Sequence, residues 1–290
     1  MERRRVMGGL PLVGMLIPDG GNQFFSRLAQ LVQRELSLAS MGLVLFDSDS
    51  SASNERDYIR WIRKQWERAS ISALVYIPSG DNLDNFEEVF SLDLPIVVID
   101  REIPEDFASR PLDQVLADNA FGMKLVVQHL IEIDVSDVAY VAGPLSTEPG
   151  RVRNLAFERY WYELGDRRPA ASFAGDFTFE SGREAGEAML RLAKQPQAVV
   201  AANDLMAIAV MQVLLSFGIR VPEDVAVIGY DDIPLANWVY PQLTTVRQDL
   251  EEMARQASAC VMRRLSGDSQ KGGFRTPIEP ELVPRKSSLR

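Results

Sequence analysis

Cysteine and histidine occur once each in this 290-residue chain, as Cys260 and His129. A lone cysteine excludes an internal disulfide. With one histidine beside it, no cluster has metal-ligand spacing. Cys260 shares an apolar helical face with Ala257, Val261 and Leu265, as a buried structural thiol does. His129 lies in KLVVQHLIEI and reads as a packing histidine. No apolar run approaches the roughly 18 residues that span a bilayer. G-x-S-x-G, the P-loop and G-x-G-x-x-G are absent. The expectation is therefore no enzyme activity, no metal and no cofactor. An excess of base is missing too, for the net charge is −10. Duplex binding rests on Lys and Arg clustered against phosphates, and the only such cluster is Arg3 to Arg5, read as part of a linker remnant over residues 1–9. The start carries a short apolar run but no small-residue cleavage site. VGMLI is accordingly read as a first strand, and a cytoplasmic location is expected.

What the chain does contain is ordinary globular composition, 46% hydrophobic and 25% charged. That is enough for a large core and two domains. Apolar runs at 12–17, 42–46, 74–77, 96–99, 138–141, 198–201 and 225–229 are continuous rather than alternating. Parallel strands buried on both faces look like this. Helical periodicity fills the gaps, as in Met206, Val210, Val213, Leu214 and Phe217, closed by Gly218 and followed by Pro222. Strand–helix alternation predicts an α/β fold with doubly wound parallel sheets. About ten strands exceed one small sheet, so the chain is divided near Asp118-Asn119, after an acidic, loop-like stretch beyond Arg101. The segment 267–273 reads as a flexible turn, and the polar tail after Pro284 as disordered.

Strand ends carry the candidate chemistry, because ligands of open α/β sheets bind beyond the carboxyl ends of the strands. Asp231 and Asp232 follow the run at 225–229. Asp231 is read as a ligand contact able to accept hydrogen bonds from two hydroxyls, and Asp232 as the cap of the following turn. Asn203 ends AVVAAN and is first a helix N-cap. Arg153 either grips a ligand with its planar fork or forms a surface salt bridge with Glu158 or Glu148. Phe24 and Phe177 sit in loops after strands, where a ring stacks on a sugar or base or packs in the core. Phe25 is the core member of its pair. Asp204 reads as a helix-terminal charge, and Gln248 either reaches the ligand or faces solvent.

The ordered motifs resemble the LacI/GalR family of bacterial transcription regulators, relatives of the periplasmic sugar-binding proteins. They are IPDGGNQFFSRLAQ, VVID at 97–100, DNAFG at 118–122 with His129-Leu130, VAGP at 141–144, RNLAF at 153–157, GDFTFESG at 175–182, AAND at 201–204, VPEDVAVIGYDD at 221–232 and PQLTTVRQ at 241–248. The resemblance spans about residues 10 to 285. Ala156 departs from the usual glycine, and the usual G-H before the sixth strand is absent. The family's N-terminal helix-turn-helix is also missing, as in an excised effector domain or a protein without DNA binding.

The resemblance implies two Rossmann-like doubly wound subdomains joined by three crossovers. The first is expected at 10–118 plus 249–275, and the second at 119–248 plus 276–290. It further implies a cleft ligand, a sugar or nucleoside-like effector, held by Phe24, Arg153, Phe177, Asn203, Asp231 and Gln248. A homodimer is implied, with operator DNA bound only through the missing helix-turn-helix and no membrane contact. The rival expectation, a periplasmic solute-binding protein of a transport system, shares fold and cleft.

Overall fold

The computed structural model describes residues 10–68, 70–107, 110, 112–165, 169–267 and 273–289. The linker remnant at 1–9 and most of the 267–273 turn lie outside them. The chain divides into two compact units, Met1–Ala117 with Asp249–Ile278 and Asp118–Gln248 with Glu279–Arg290.

The first unit runs β1 (Leu12–Ile17), α1 (Gln23–Leu38), β2 (Gly42–Asp47), α2 (Ala52–Glu67), β3 (Ala73–Tyr76), α3 (Leu83–Phe90), β4 (Ile96–Ile99) and β5 (Asp113–Ala117). The second runs α4 (Asn119–Glu132), β6 (Val138–Val141), α5 (Glu148–Gly165), β7 (Ala171–Phe173), α6 (Phe179–Met189), β8 (Ala198–Ala201), α7 (Asp204–Ser216), β9 (Ala226–Asp231), α8 (Pro234–Trp238) and β10 (Thr244–Arg247). The chain then returns to the first unit as α9 (Leu250–Leu265) and β11 (Arg275–Ile278), and ends in the second as β12 (Glu281–Val283).

Each unit holds a six-stranded sheet, ordered β11-β5-β4-β3-β1-β2 and β12-β10-β9-β8-β6-β7. Pairing is parallel except for β12 on β10. These are the doubly wound α/β sheets predicted by the strand pattern, in the periplasmic-binding-protein-like fold that the family resemblance implied. The strands β3, β4, β6 and β8 are buried along their whole length, which is why their sequences are unbroken apolar runs. Helices cover them with one apolar face each. In α1 that face is Phe24, Phe25, Leu28, Ala29, Leu31, Val32 and Leu36, and Asn22 caps the helix by accepting from the Phe24 N–H.

Three expectations are corrected. The stretch beyond Arg101 is not all loop, for it contains β5. Its first residue, Asp113, is buried and accepts from Arg263, from Arg264 Nε at 2.8 Å and from the Phe274 N–H at 2.8 Å. Burial alone would raise its carboxyl. The Arg264 bond, the Phe274 N–H and Arg263 outweigh that and hold it below the ordinary range. The stretch from 276 on, expected whole in the second subdomain, carries two strands that join different sheets. β11 pairs with β5 and β12 with β10. A stretch this polar does not reveal that its halves join different sheets.

The tail after Pro284 is ordered through residue 289. The Ser287 N–H and C=O bond Gln242 and Val227, and its hydroxyl donates to Val227 O at 2.6 Å. Ser288 Oγ lies 2.7 Å from both Thr244 Oγ1 and His129 Nε2. The packing role of His129 thus has a partner, and burial lowers its imidazole against the opposing charge of Glu132.

Candidate functional site

In the second sheet the strand order reverses at β6, with β7 on one side and β8 on the other. Crevices at the carboxyl edge of such switch points are where ligands of this architecture sit. Residues following β6 and β8 converge there. Asn203, just past β8, caps α7 by accepting from Met206 N at 3.0 Å, and its Nδ2 donates to Phe177 O at 2.8 Å. Phe177 has φ +71°, in the left-handed region. Its ring occupies the space at Gly143 after β6, where an added Cβ would come within 2.4 Å of the ring.

Arg153, on α5, is buried and points inward. Its Nε donates to Asn119 Oδ1 at 2.8 Å and its NH1 to Ala202 O at 2.7 Å. The guanidinium carbon lies 3.7 Å from the Tyr230 ring centroid, a cation–π stack, and 5.9 Å from that of Phe177. NH1 also meets Asp231 Oδ1 at 3.4 Å. Arg153 is thus buried and not at the surface.

Asp231 is the last residue of β9 rather than lying beyond it. Its φ of +111° is a conformation that side-chain-bearing residues rarely adopt. Strain of this kind persists where the surroundings over-determine it, and it collects at functional sites. Oδ1 also accepts from Gln248 Nε2 at 2.9 Å. Gln248 is buried, and its Oε1 has no hydrogen-bond partner among the described residues. A buried amide oxygen left without a donor is costly, so this atom suits an incoming hydroxyl or N–H.

Asp232 is not a turn cap. Its carboxylate bridges two cations, Arg247 Nε and Arg285 NH2, each at 2.6 Å. Asp204 stands at the start of α7, as its position in the sequence suggests. It is fully buried and accepts from Thr245 Oγ1 at 2.5 Å and from Ile233 N at 2.9 Å, which holds the turn after β9. A Cβ on Gly229 would stand 2.2 Å from its Oδ1. Burial, and then the negative charge of Asp231, push the Asp204 carboxyl well above the carboxylate range.

Of the six candidate residues, Arg153, Phe177, Asn203, Asp231 and Gln248 lie in the second unit, where Arg153–Asp231–Gln248 and Asn203–Phe177 are hydrogen-bonded sets and the Arg153 guanidinium lies 5.9 Å from the Phe177 ring. Phe24 lies in the first unit, after β1, which is that sheet's own switch strand. It packs edge-on against Phe25, with ring centroids 5.1 Å apart. Phe24 is 3% exposed and Phe25 8%, so burial does not separate a ligand-facing member from a core one. Sequence reasoning missed Asn119, Tyr230 and Thr245, and gave Asp204 no bonded partner. Asn119 was available as the second residue of D-N-x-x-G, but its partner Arg153 is 34 positions away.

Residues 127–288 match the family model described as "Periplasmic binding protein-like domain". The ribose operon repressor of Escherichia coli K12 is 30% identical over 279 residues, covering 95% of this chain and 82% of the relative. The ribose operon repressor of Halalkalibacterium halodurans is 26% identical, covering 96% of this chain and 79% of the relative. Among solved structures, the transcriptional regulator CelR–cellobiose complex superposes with a TM-score of 0.84 at 27% identity, over 96% of this chain and 84% of that one. The chain belongs to the periplasmic binding protein-like family, and its homologues are repressors of the LacI family, not enzymes. No helix among the described residues is long and apolar enough to cross a membrane.

Proposed function

We propose that this chain is the effector-binding and dimerisation part of a LacI/GalR-type transcription regulator. Its effector is a small sugar or a nucleoside-like molecule. Arg153, Asp231 and Gln248 read the ligand's hydroxyls or ring nitrogens. Phe177 and Phe24 stack on its ring, and Asn203 keeps Phe177 in place. In this reading operator DNA is engaged through a helix-turn-helix segment, not through the two subdomains.

One observation carries the reading. A buried arginine–aspartate pair sits at the carboxyl edge of the sheet, on strained backbone and beside a buried amide oxygen without a donor. A buried ion pair adds little to stability on its own. Its placement is explained by a ligand that brings both donors and acceptors. The likeness to ribose operon repressors along nearly the whole chain favours the regulator over a solute carrier.

A thermal-melt screen of pentoses, hexoses and nucleosides tests the proposal. A ligand at about 100 times its dissociation constant adds roughly 2.7 kcal/mol of stability. At least one of these compounds should raise the melting temperature. A panel with no shift at millimolar concentration would contradict the reading.

A further inference from the structure

The two charged residues at the centre of the site are each tied to a different point where the chain passes between units. The chain enters the second unit after Ala117 and leaves it after Gln248. Asn119, two residues past the first passage, accepts from Arg153 Nε at 2.8 Å. Gln248, the last residue before the second passage, donates to Asp231 Oδ1 at 2.9 Å. Arg153 and Asp231 meet each other at 3.4 Å. A single run of buried side chains, Asn119–Arg153–Asp231–Gln248, therefore links the two passages. Each passage leads straight into a helix capped by its own aspartate. Asp118 accepts from Phe121 N at 2.8 Å and opens α4, and Asp249 accepts from Glu252 N at 2.9 Å and opens α9.

We propose that Asn119 and Gln248 are positioning residues that convey occupancy of the Arg153–Asp231 pair to these two chain passages. The proposal rests on the effector-binding reading of the same site. Its physical basis is the uneven stiffness of the run. The guanidinium is held by its stack on Tyr230 and its bond to Ala202 O. The Arg153–Asp231 contact is long for a charge-assisted bond, which is typically about 2.7–2.9 Å. A ligand donor arriving at Asp231 Oδ1 competes there with Gln248 Nε2, and the Gln248 Oε1 beside it lacks a donor. The amide is therefore the group that turns when a ligand arrives. At the other end, a ligand acceptor that draws on the guanidinium shifts the Nε bond to Asn119. Either adjustment moves side chains rooted within two residues of a passage.

Hydrogen exchange on the full chain tests this, using amides that are bonded in the structure. Phe121 and Gly122 report the start of α4, and Glu252 and Met253 the start of α9. Without ligand, Gln248→Ala should speed exchange at Phe121 and Gly122, and Asn119→Ala at Glu252 and Met253. The expected factor is about two to ten, the size of one net hydrogen bond. Changes confined to each variant's own helix would show two local structural bonds and overturn the proposal. If either variant unfolds, Gln248→Asn and Asn119→Ser replace them with the same readout.

In a second arm D-ribose is added. In the unsubstituted chain, binding should slow exchange at both helix starts. In Asn119→Ala, binding should leave the α4 amides unprotected. Protection of both starts in that variant would overturn the coupling. If D-ribose binds nothing, the effector reading fails for that sugar, and the cross-effects without ligand still decide the coupling.

Discussion

Among the described residues each unit buries one aspartate completely, and the two could hardly be treated more differently. Asp113 opens β5 at the amino edge of the first sheet, where two arginines and a backbone N–H meet its carboxylate. Asp204 stands past the carboxyl end of β8 in the second sheet. It meets a hydroxyl and one N–H, and its nearest charges, Asp231 and Asp232, are negative. The first acid is held below its ordinary range and the second well above it. Full charge compensation at the amino edge marks a fastening that ties α9 and β11 to β5. Incomplete compensation at the carboxyl edge coincides with the cluster proposed to hold the effector.

Breaking the fastening should have the largest effect. Asp113→Ala leaves the Arg263 and Arg264 charges facing an emptied site, and should cost about 3–5 kcal/mol in urea denaturation. A loss under about 1 kcal/mol would place Asp113 among ordinary surface pairs. The second unit is pressed next by Gly229→Ala, whose new Cβ drives into the Asp204 carboxylate. Overpacking of this kind costs about 1–3 kcal/mol, and Asp204→Asn should not relieve it because the two side chains have the same size. Ser288→Ala sharpens the contrast from a third side. It removes the hydroxyl between His129 and Thr244 and should cost about 1 kcal/mol, measured by the same method.

The subtlest test is one of sign. Asp113 has a lowered carboxyl, so its contribution is present above the ordinary value of 3.8 and is lost as pH falls through its folded value. Asp204 has a raised carboxyl, so the stability linked to it is full below 3.8 and is lost as pH rises through its folded value. Over that upper window the second unit should become less stable with rising pH, and Asp204→Asn should remove the slope. Denaturation at several pH values checks this, and an unchanged slope in the variant would assign it elsewhere.

The contrast also explains what could be read in the sequence. The strands β1, β4, β6 and β8 were legible residue for residue, because burial on both faces leaves an unbroken apolar run. β5 was not, for it begins with an acid whose partners Arg263 and Arg264 lie about 150 positions along the chain. The tail was misread because serines and basic residues look like solvent-loving chain. Ser287 and Ser288 are instead buried by bonds to β9, β10 and α4 that no local pattern encodes.

At the site, Asp231 was legible from its place at a strand end. Its bonds to Arg153 and Gln248 span 78 and 17 residues and are products of the fold. The same holds for Tyr230, whose ring supports Arg153 although its own sequence position reads as buried strand.

The Arg153–Asp231 pair is the group proposed to hold the effector. Calorimetric titration of the compound returned by the melting screen, into the unsubstituted chain and into Asp231→Asn, tests it most directly. Asparagine keeps the shape of the side chain and its bond to Gln248 but removes the charge. Losing charge-assisted bonds to the ligand should weaken binding by about tenfold to a hundredfold, while urea denaturation still shows a folded chain. Unchanged affinity in a folded Asp231→Asn variant would place the effector elsewhere.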